Sequence, residues 1–85
     1  MTQTKYIVIQ LGRENGMEMA FTFPAIIKHD EFFNAISKST LLGYDLVVIG
    51  AGFYDHRSQE VSGNSISLGV ESRERDALII RKGSV

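Results

Sequence analysis

Hydrophobic and polar positions divide the first part of the chain into two strands. Residues 5–11 are β-branched and aromatic almost without a break, which favours a strand that is covered or paired on both sides. Residues 17–23 alternate large apolar side chains with small or polar ones, so the large ones share one face. Asn15 and Gly16 lie between these segments and suit a tight turn. The pattern predicts an antiparallel hairpin.

The middle of the chain predicts one short helix and then a buried strand. Pro24 cannot donate a hydrogen bond to a sheet, so it ends the second strand. We expect His29 or Asp30 to cap the helix and Gly43 to stop it. Residues 44–54 follow as the most continuously apolar strand. The apolar stripe of the helix consists of Phe32, Phe33, Ala35 and Ile36.

The last third of the chain predicts two more strands. The polar residues 55–64 form the longest candidate loop. Apolar and polar positions alternate over residues 65–72, which is typical of a half-buried strand. Residues 73–76 are expected to form a charged turn, and the apolar run at 77–81 a final strand.

These elements predict an α+β protein whose element order is ββαβββ. Its antiparallel sheet has about five strands, with one short helix on one face. The 85 residues are expected to form a single domain, because domains commonly hold about 100–150 residues. One helix covers one face of a sheet, so the other face would be solvated or buried by a partner. A second copy of the chain is the simplest candidate.

Composition and charge exclude several classes of function. The chain has no cysteine, which excludes disulfides, thiolate metal sites and cysteine nucleophiles. Nine Lys and Arg residues stand against ten Asp and Glu residues, a balance that argues against electrostatically driven binding to nucleic acid or membranes. Neither a secretory signal nor a run of about 20 apolar residues is visible. A cytoplasmic location is therefore expected, with no membrane association.

One string of residues invites a cofactor interpretation. Residues 46–52 read Leu-Val-Val-Ile-Gly-Ala-Gly, which resembles the start of a dinucleotide-binding fingerprint. Asp55 stands where that fingerprint has its third glycine, and a carboxylate there would repel phosphate. The better interpretation is a buried strand with glycines at a bulge or a close contact. We therefore predict no cofactor.

The two histidines do not form a recognisable catalytic or metal motif. His29 and His56 each have acidic neighbours, but neither has a second histidine three or four residues away. The serines form no Gly-x-Ser-x-Gly nucleophile elbow. The expectation is that the chain has no catalytic residue and no metal site, and that it is not an enzyme.

The apolar content suggests a protein interface as the main functional hypothesis. The chain holds more large apolar side chains than one short helix needs as cover, although filling the core is the favoured explanation for them. On the interface hypothesis the partner is a protein, including a second copy in a homodimer. The candidate interface residues are Met17, Met19, Phe21, Phe53 and Tyr54.

A nucleic-acid-binding regulator is the alternative hypothesis. Basic residues in the last third of the chain lie near two aromatic ones, a combination that can bind single strands. Acidic residues are interleaved with them and weaken the local positive field. The candidate nucleic-acid residues are Arg57, Arg73, Arg75, Arg81 and Lys82.

A scattered set of residues spans the middle half of the chain: Glu18, Phe23-Pro24, His29, Ala35 and Ala51-Gly52-Phe53. This set resembles small hypothetical proteins encoded by phages and prophages. The resemblance implies a cytoplasmic accessory protein in a bacterial host, of the kind that binds and occludes host machinery such as defence nucleases. It carries over no catalytic or binding residue.

Overall fold

The computed structural model describes residues 3–12, 17–38 and 46–83, which form an α+β fold. A four-stranded antiparallel sheet has the strand order β2-β1-β3-β4, and β5 and β6 form a separate two-stranded sheet. The predicted class and the antiparallel sheet are confirmed. The elements are β1 (Gln3–Leu11), β2 (Met17–Phe23), α1 (His29–Ser37), β3 (Leu46–Asp55), β4 (Glu60–Ser62), β5 (Asn64–Ser65), β6 (Val70–Glu71) and α2 (Glu74–Gly83).

Strand β1 is the centre of the sheet. It pairs with β2 in one unbroken register from Lys5 opposite Phe23 to Leu11 opposite Met17. On its other side it pairs with β3, with one register shift after Val8. Four consecutive β1 residues, Tyr6 to Ile9, are fully buried, as the unbroken apolar run predicted. The Asn15-Gly16 turn lies outside the described residues.

The first helix begins at His29, one or two residues earlier than a cap at His29 or Asp30 predicts. Lys28 is the N-cap residue in an extended conformation, and no side chain caps the helix, so the prediction that His29 or Asp30 caps it is wrong. His29 is instead the first helical residue, and its ring packs between Phe23 and Phe53. The His29 imidazole is therefore buried against the sheet and does not cap the helix. The predicted stop at Gly43 lies outside the described residues, and the helix ends at Ser37.

Helix α2 spans Glu74–Gly83, so the predicted charged turn at 73–76 and final strand at 77–81 are wrong. The carboxylate of Asp76 accepts the backbone N–H of Arg73, which is half of a capping box at the start of α2. Ala77 and Ile80 lie three residues apart and are both buried on one helix face. Basic Arg81 and Lys82 occupy the last turn, where they complement the helix dipole.

The predicted loop at 55–64 and strand at 65–72 are also wrong. The first contains β4, which forms a hairpin with the end of β3. The second is broken by a turn between β5 and β6, where Gly69 adopts a φ of +66° that favours glycine. Ile66 lies in this turn and is 91% exposed, although the alternating pattern predicted that it lies on the buried face of a strand.

Each face of the main sheet has its own apolar core. The α1 face carries Ile7, Ile9, Phe23 and Ala51, which pack with side chains of α1 and of the small sheet. The α2 face carries Tyr6, Val8 and Tyr54, which pack with Ile80 of α2. The expectation that one face lacks cover is therefore wrong. Helix α2 buries the sheet face that we expected a second copy of the chain to bury.

Candidate functional site

The outer edge of β2, the β2 edge from here on, is the main candidate site. Within the described part of the chain, no strand pairs with this side of β2. Alternate N–H and C=O groups of its seven residues therefore point outward. Lys, Pro and bulges commonly protect edge strands, and β2 has none of them between Met17 and Phe23. The β2 edge is thus suited to pairing with another strand.

The side chains on the α1 face of β2 become more exposed toward its start. Phe23 is buried and stacks on Phe32 of α1, with ring centroids 4.1 Å apart. Phe21 and Met19 are half-buried, and Met17 is 68% exposed. A partner strand would therefore meet an apolar row that its own chain covers only in part.

The α2 face of β2 carries the only charged side chain of the strand. The Glu18 carboxylate accepts hydrogen bonds from Nη2 of Arg75 at 3.0 and 3.1 Å. Nη2 of Arg73 lies 3.9 Å from the same carboxylate. Because Glu18 is neutralised within its own chain, it does not guard the edge by charge repulsion.

The five predicted interface residues fall into three places. Met17, Met19 and Phe21 lie together on β2. Phe53 and Tyr54 are neighbours in β3, so they point to opposite faces of the sheet. Tyr54 is buried under α2, whereas Phe53 is half-buried beside His29, with ring centroids 6.0 Å apart. Strand β1 separates both from β2.

The predicted nucleic-acid residues do not form one free basic surface. Arg73 donates from Nε and Nη2 to Oδ1 of Asp76 at 2.9 and 2.6 Å. Arg75 is paired with Glu18, and Nη1 of Arg81 lies 3.5 Å from Oε1 of Gln59. The remaining two, Arg57 and Lys82, are exposed. Pairing with carboxylates lowers the positive field that these residues would offer to phosphates.

A buried polar network joins the sheet to α2. Asp76 is completely buried, and its Oδ2 accepts the Tyr6 hydroxyl at 2.7 Å and the Arg73 backbone N–H at 2.9 Å. Burial, and then the hydrogen bond to Asp76, raise the pKa of Tyr6 well above its usual range. The spacing of Asp76 from Arg73 is compatible with a helix start, but nothing in the sequence shows that this carboxylate is buried against Tyr6.

The glycine-rich string lies entirely within β3 and serves close packing. A Cβ at Gly50 would collide with the carboxylate of Asp76, and one at Gly52 with the backbone carbonyl of Ser62. The register shift between β1 and β3 also falls next to Gly50. The interpretation of these glycines as bulge and close-contact residues is confirmed.

The two histidines have separate partners. Nε2 of His29 lies 3.0 Å from the Gly52 carbonyl oxygen, which can only accept, so this nitrogen donates. His56 is exposed in the turn after β3, and its Nε2 lies 3.0 Å from the Thr4 hydroxyl. Across residues 3–12, 17–38 and 46–83, no three His, Asp or Glu side chains are grouped to hold a metal ion.

Together these features define an α+β fold whose antiparallel sheet lies between two helices, with β2 as an edge strand that no other described strand pairs. No family model, curated protein or solved structure matches the chain. None of the described helices is long and apolar enough to cross a membrane. The function must therefore be argued from the geometry of the chain itself.

Proposed function

We propose that this protein is a non-enzymatic binding module that associates with a second copy of itself through the β2 edge. The observation that carries the proposal is the unbroken, unprotected edge of β2. In strand addition, main-chain hydrogen bonds supply affinity and the alternating side chains supply specificity. The proposed homodimer thus depends on a strand edge, and not on an open sheet face.

An antiparallel pair of two β2 strands centred on Ala20 uses the whole strand. It aligns the α1 faces of the two copies, because odd-numbered residues lie opposite odd-numbered ones. The partly exposed apolar row of one copy then continues into that of the other. The opposed positions are Met17 with Phe23, Glu18 with Thr22, Met19 with Phe21, and Ala20 with its own counterpart.

Charge favours a second copy as the occupant. In this register Glu18 faces Thr22, so no like charges are opposed along the strand. Glu18 keeps its pairing with Arg75 in its own chain, so the partner need not bring a compensating charge. A strand from a bacterial host protein is the other possible occupant. That role, in the cytoplasm of a phage-infected cell, rests on the sequence resemblance alone.

Sedimentation equilibrium of the intact chain and two lysine variants tests the proposal. Met19→Lys places a charge at the centre of the β2 edge. Val47→Lys is the matched control, because Val47 is also partly exposed but lies on β3, away from that edge. The expected result is a concentration-dependent dimer for the parent chain and the control, and a monomer with unchanged circular dichroism for Met19→Lys.

Two results would overturn the proposal. One is a parent chain that stays monomeric up to millimolar concentration. The other is a dimer that persists in Met19→Lys. A monomer that binds oligonucleotides in a salt-dependent way, and loses this binding on charge reversal of Arg57 and Lys82, would instead favour the nucleic-acid alternative.

A further inference from the structure

An open cavity of about 460 Å³ lies on the α1 face of the sheet, beside the small β5–β6 sheet. Its volume falls within the roughly 300–1,000 Å³ typical of small-molecule sites. No residue of β2 lines it, so the cavity is separate from the β2 edge. The lining residues that matter here are Lys5, Lys28, His29, Phe53, Asn64 and Ile66.

The charged groups of the cavity are cationic. Lys5 donates from Nζ to the carbonyl oxygen of Ile27 at 2.9 Å, which holds its ammonium group at the cavity wall. Lys28 stands just before α1 and is exposed. Among the described lining residues there is no carboxylate, and Asp30 and Glu31 of the next helical positions do not line the cavity. Two ammonium groups without a counter-charge favour an oxyanion.

The remaining walls combine aromatic and aliphatic side chains with the polar Asn64 and Ser67. His29 is held by its Nε2–H donation to the Gly52 carbonyl at 3.0 Å, and its ring meets that of Phe53 edge-on at an interplanar angle of 89°. Ile66 extends from the β5–β6 turn and is almost fully exposed. A ligand that bridges the lysines and these walls needs both a charged and an apolar part.

We propose that this cavity binds a small organic oxyanion, in which a phosphate or carboxylate group contacts Lys5 and Lys28 and an apolar or aromatic body packs on Phe53 and Ile66. Asn64 supplies a further polar side chain for the oxyanion or for a substituent on the body. The proposal goes beyond self-association, since the two sites share no residue.

NMR titration of the intact chain with phenyl phosphate tests this proposal, with benzoate as the carboxylate probe. Inorganic phosphate and benzyl alcohol represent the charge alone and the ring alone. Saturable binding of phenyl phosphate or benzoate is expected, with amide shifts confined to the residues around Lys28, His29 and Phe53. The probe with the lower Kd identifies which oxyanion the cavity prefers.

Matched lysine variants locate the oxyanion. Lys28→Gln should weaken binding about tenfold, the low end of the effect of losing a charge-assisted hydrogen bond. Lys38→Gln removes the same charge at the other end of α1 and should leave the Kd unchanged. Met19→Lys should also bind normally, which separates this test from that of self-association.

Four results would overturn the proposal. The first is that neither probe shows saturable binding, and the second is that the amide shifts are spread over the whole chain. The third is that Lys28→Gln and Lys38→Gln weaken binding equally, which would indicate a general charge effect. The fourth is that inorganic phosphate binds as tightly as phenyl phosphate, which would show that the apolar walls do not contribute to binding.

Discussion

The Tyr6 hydroxyl donates to Oδ2 of Asp76 over 2.7 Å, joining the central strand to the second helix across 70 positions of the chain. Asp76 has no solvent exposure and is also held by the backbone and the guanidinium group of Arg73. This network fixes α2 over the sheet and closes its second face. Among the described strands, none pairs with the outer side of β2.

Loss of the Asp76 carboxylate should strongly destabilise the fold. Asp76→Ala leaves the buried Tyr6 hydroxyl without its acceptor and removes the ion pair of Arg73, so the free energy of unfolding should fall by about 3 kcal/mol. Glu18→Ala breaks a more exposed ion pair and should cost less than about 1 kcal/mol. Urea unfolding followed by circular dichroism measures both. Equal losses in the two variants would contradict the assigned role of Asp76.

The raised pKa of Tyr6 predicts a loss of stability in alkaline solution. The unfolded chain releases this phenolic proton near the ordinary pKa of 10.0, whereas the folded chain retains it. The raised pKa of Tyr6 therefore contributes fully to the free energy of unfolding below pH 10, and this contribution is lost as the pH rises above 10. The slope is about 1.4 kcal/mol per pH unit for one proton.

The variant Tyr6→Phe isolates this effect from the titration of lysines. Its free energy of unfolding should be lower than that of the parent by about 1–2 kcal/mol at neutral pH, because one buried hydrogen bond is lost. The gap between the two chains should then narrow above pH 10. Urea unfolding at several pH values tests this, and a gap that is constant from pH 8 to the alkaline limit would argue against it.

The close approach of Gly50 to Asp76 predicts an energetic coupling between them. Gly50→Ala forces a Cβ into the carboxylate and should cost about 2–3 kcal/mol. In an Asp76→Ala background the same substitution has room, so it should cost less than about 1 kcal/mol. A double-mutant cycle of urea unfolding measures the difference. Equal costs in both backgrounds would show that the strain at Gly50 has another source.

The first half of the fold was predictable because its patterns are local. β2 has the predicted bounds, since a seven-residue alternation of apolar and other side chains has no helical equivalent. The apolar run of β1 likewise indicated a strand buried on both faces. The bulge and close-contact reading of the β3 glycines also followed from local sequence.

The C-terminal part was not predictable from apolar pattern alone. Residues 77–80 form a short apolar run, and such a run is compatible with a buried strand or with a helix. The distinguishing signals were polar: Asp76 where it can accept the Arg73 backbone N–H, and Arg81 and Lys82 at the helix end. At 65–72 the alternation predicted one strand, but a turn that contains Gly69 separates β5 from β6.

The candidate site was predicted only in part, because apolar spacing is local whereas the position of a strand in the sheet is not. Met17, Met19 and Phe21 were identified from their spacing, but the sequence does not reveal that β2 lies at an edge. Tyr54 and the arginines were assigned without knowledge of their partners, which come from distant segments such as Ile80 and Glu18. Strand order and ion pairing are tertiary properties.

Amide hydrogen exchange along β2 tests self-association through the β2 edge most directly. In the dimer, the outward-facing amides, which alternate with those bonded to β1, acquire partners and should exchange more slowly as the protein concentration rises. In Met19→Lys the same amides should exchange at unprotected rates while the inward-facing ones stay protected. Outward-facing amides that remain unprotected at every concentration of the parent chain would contradict the account.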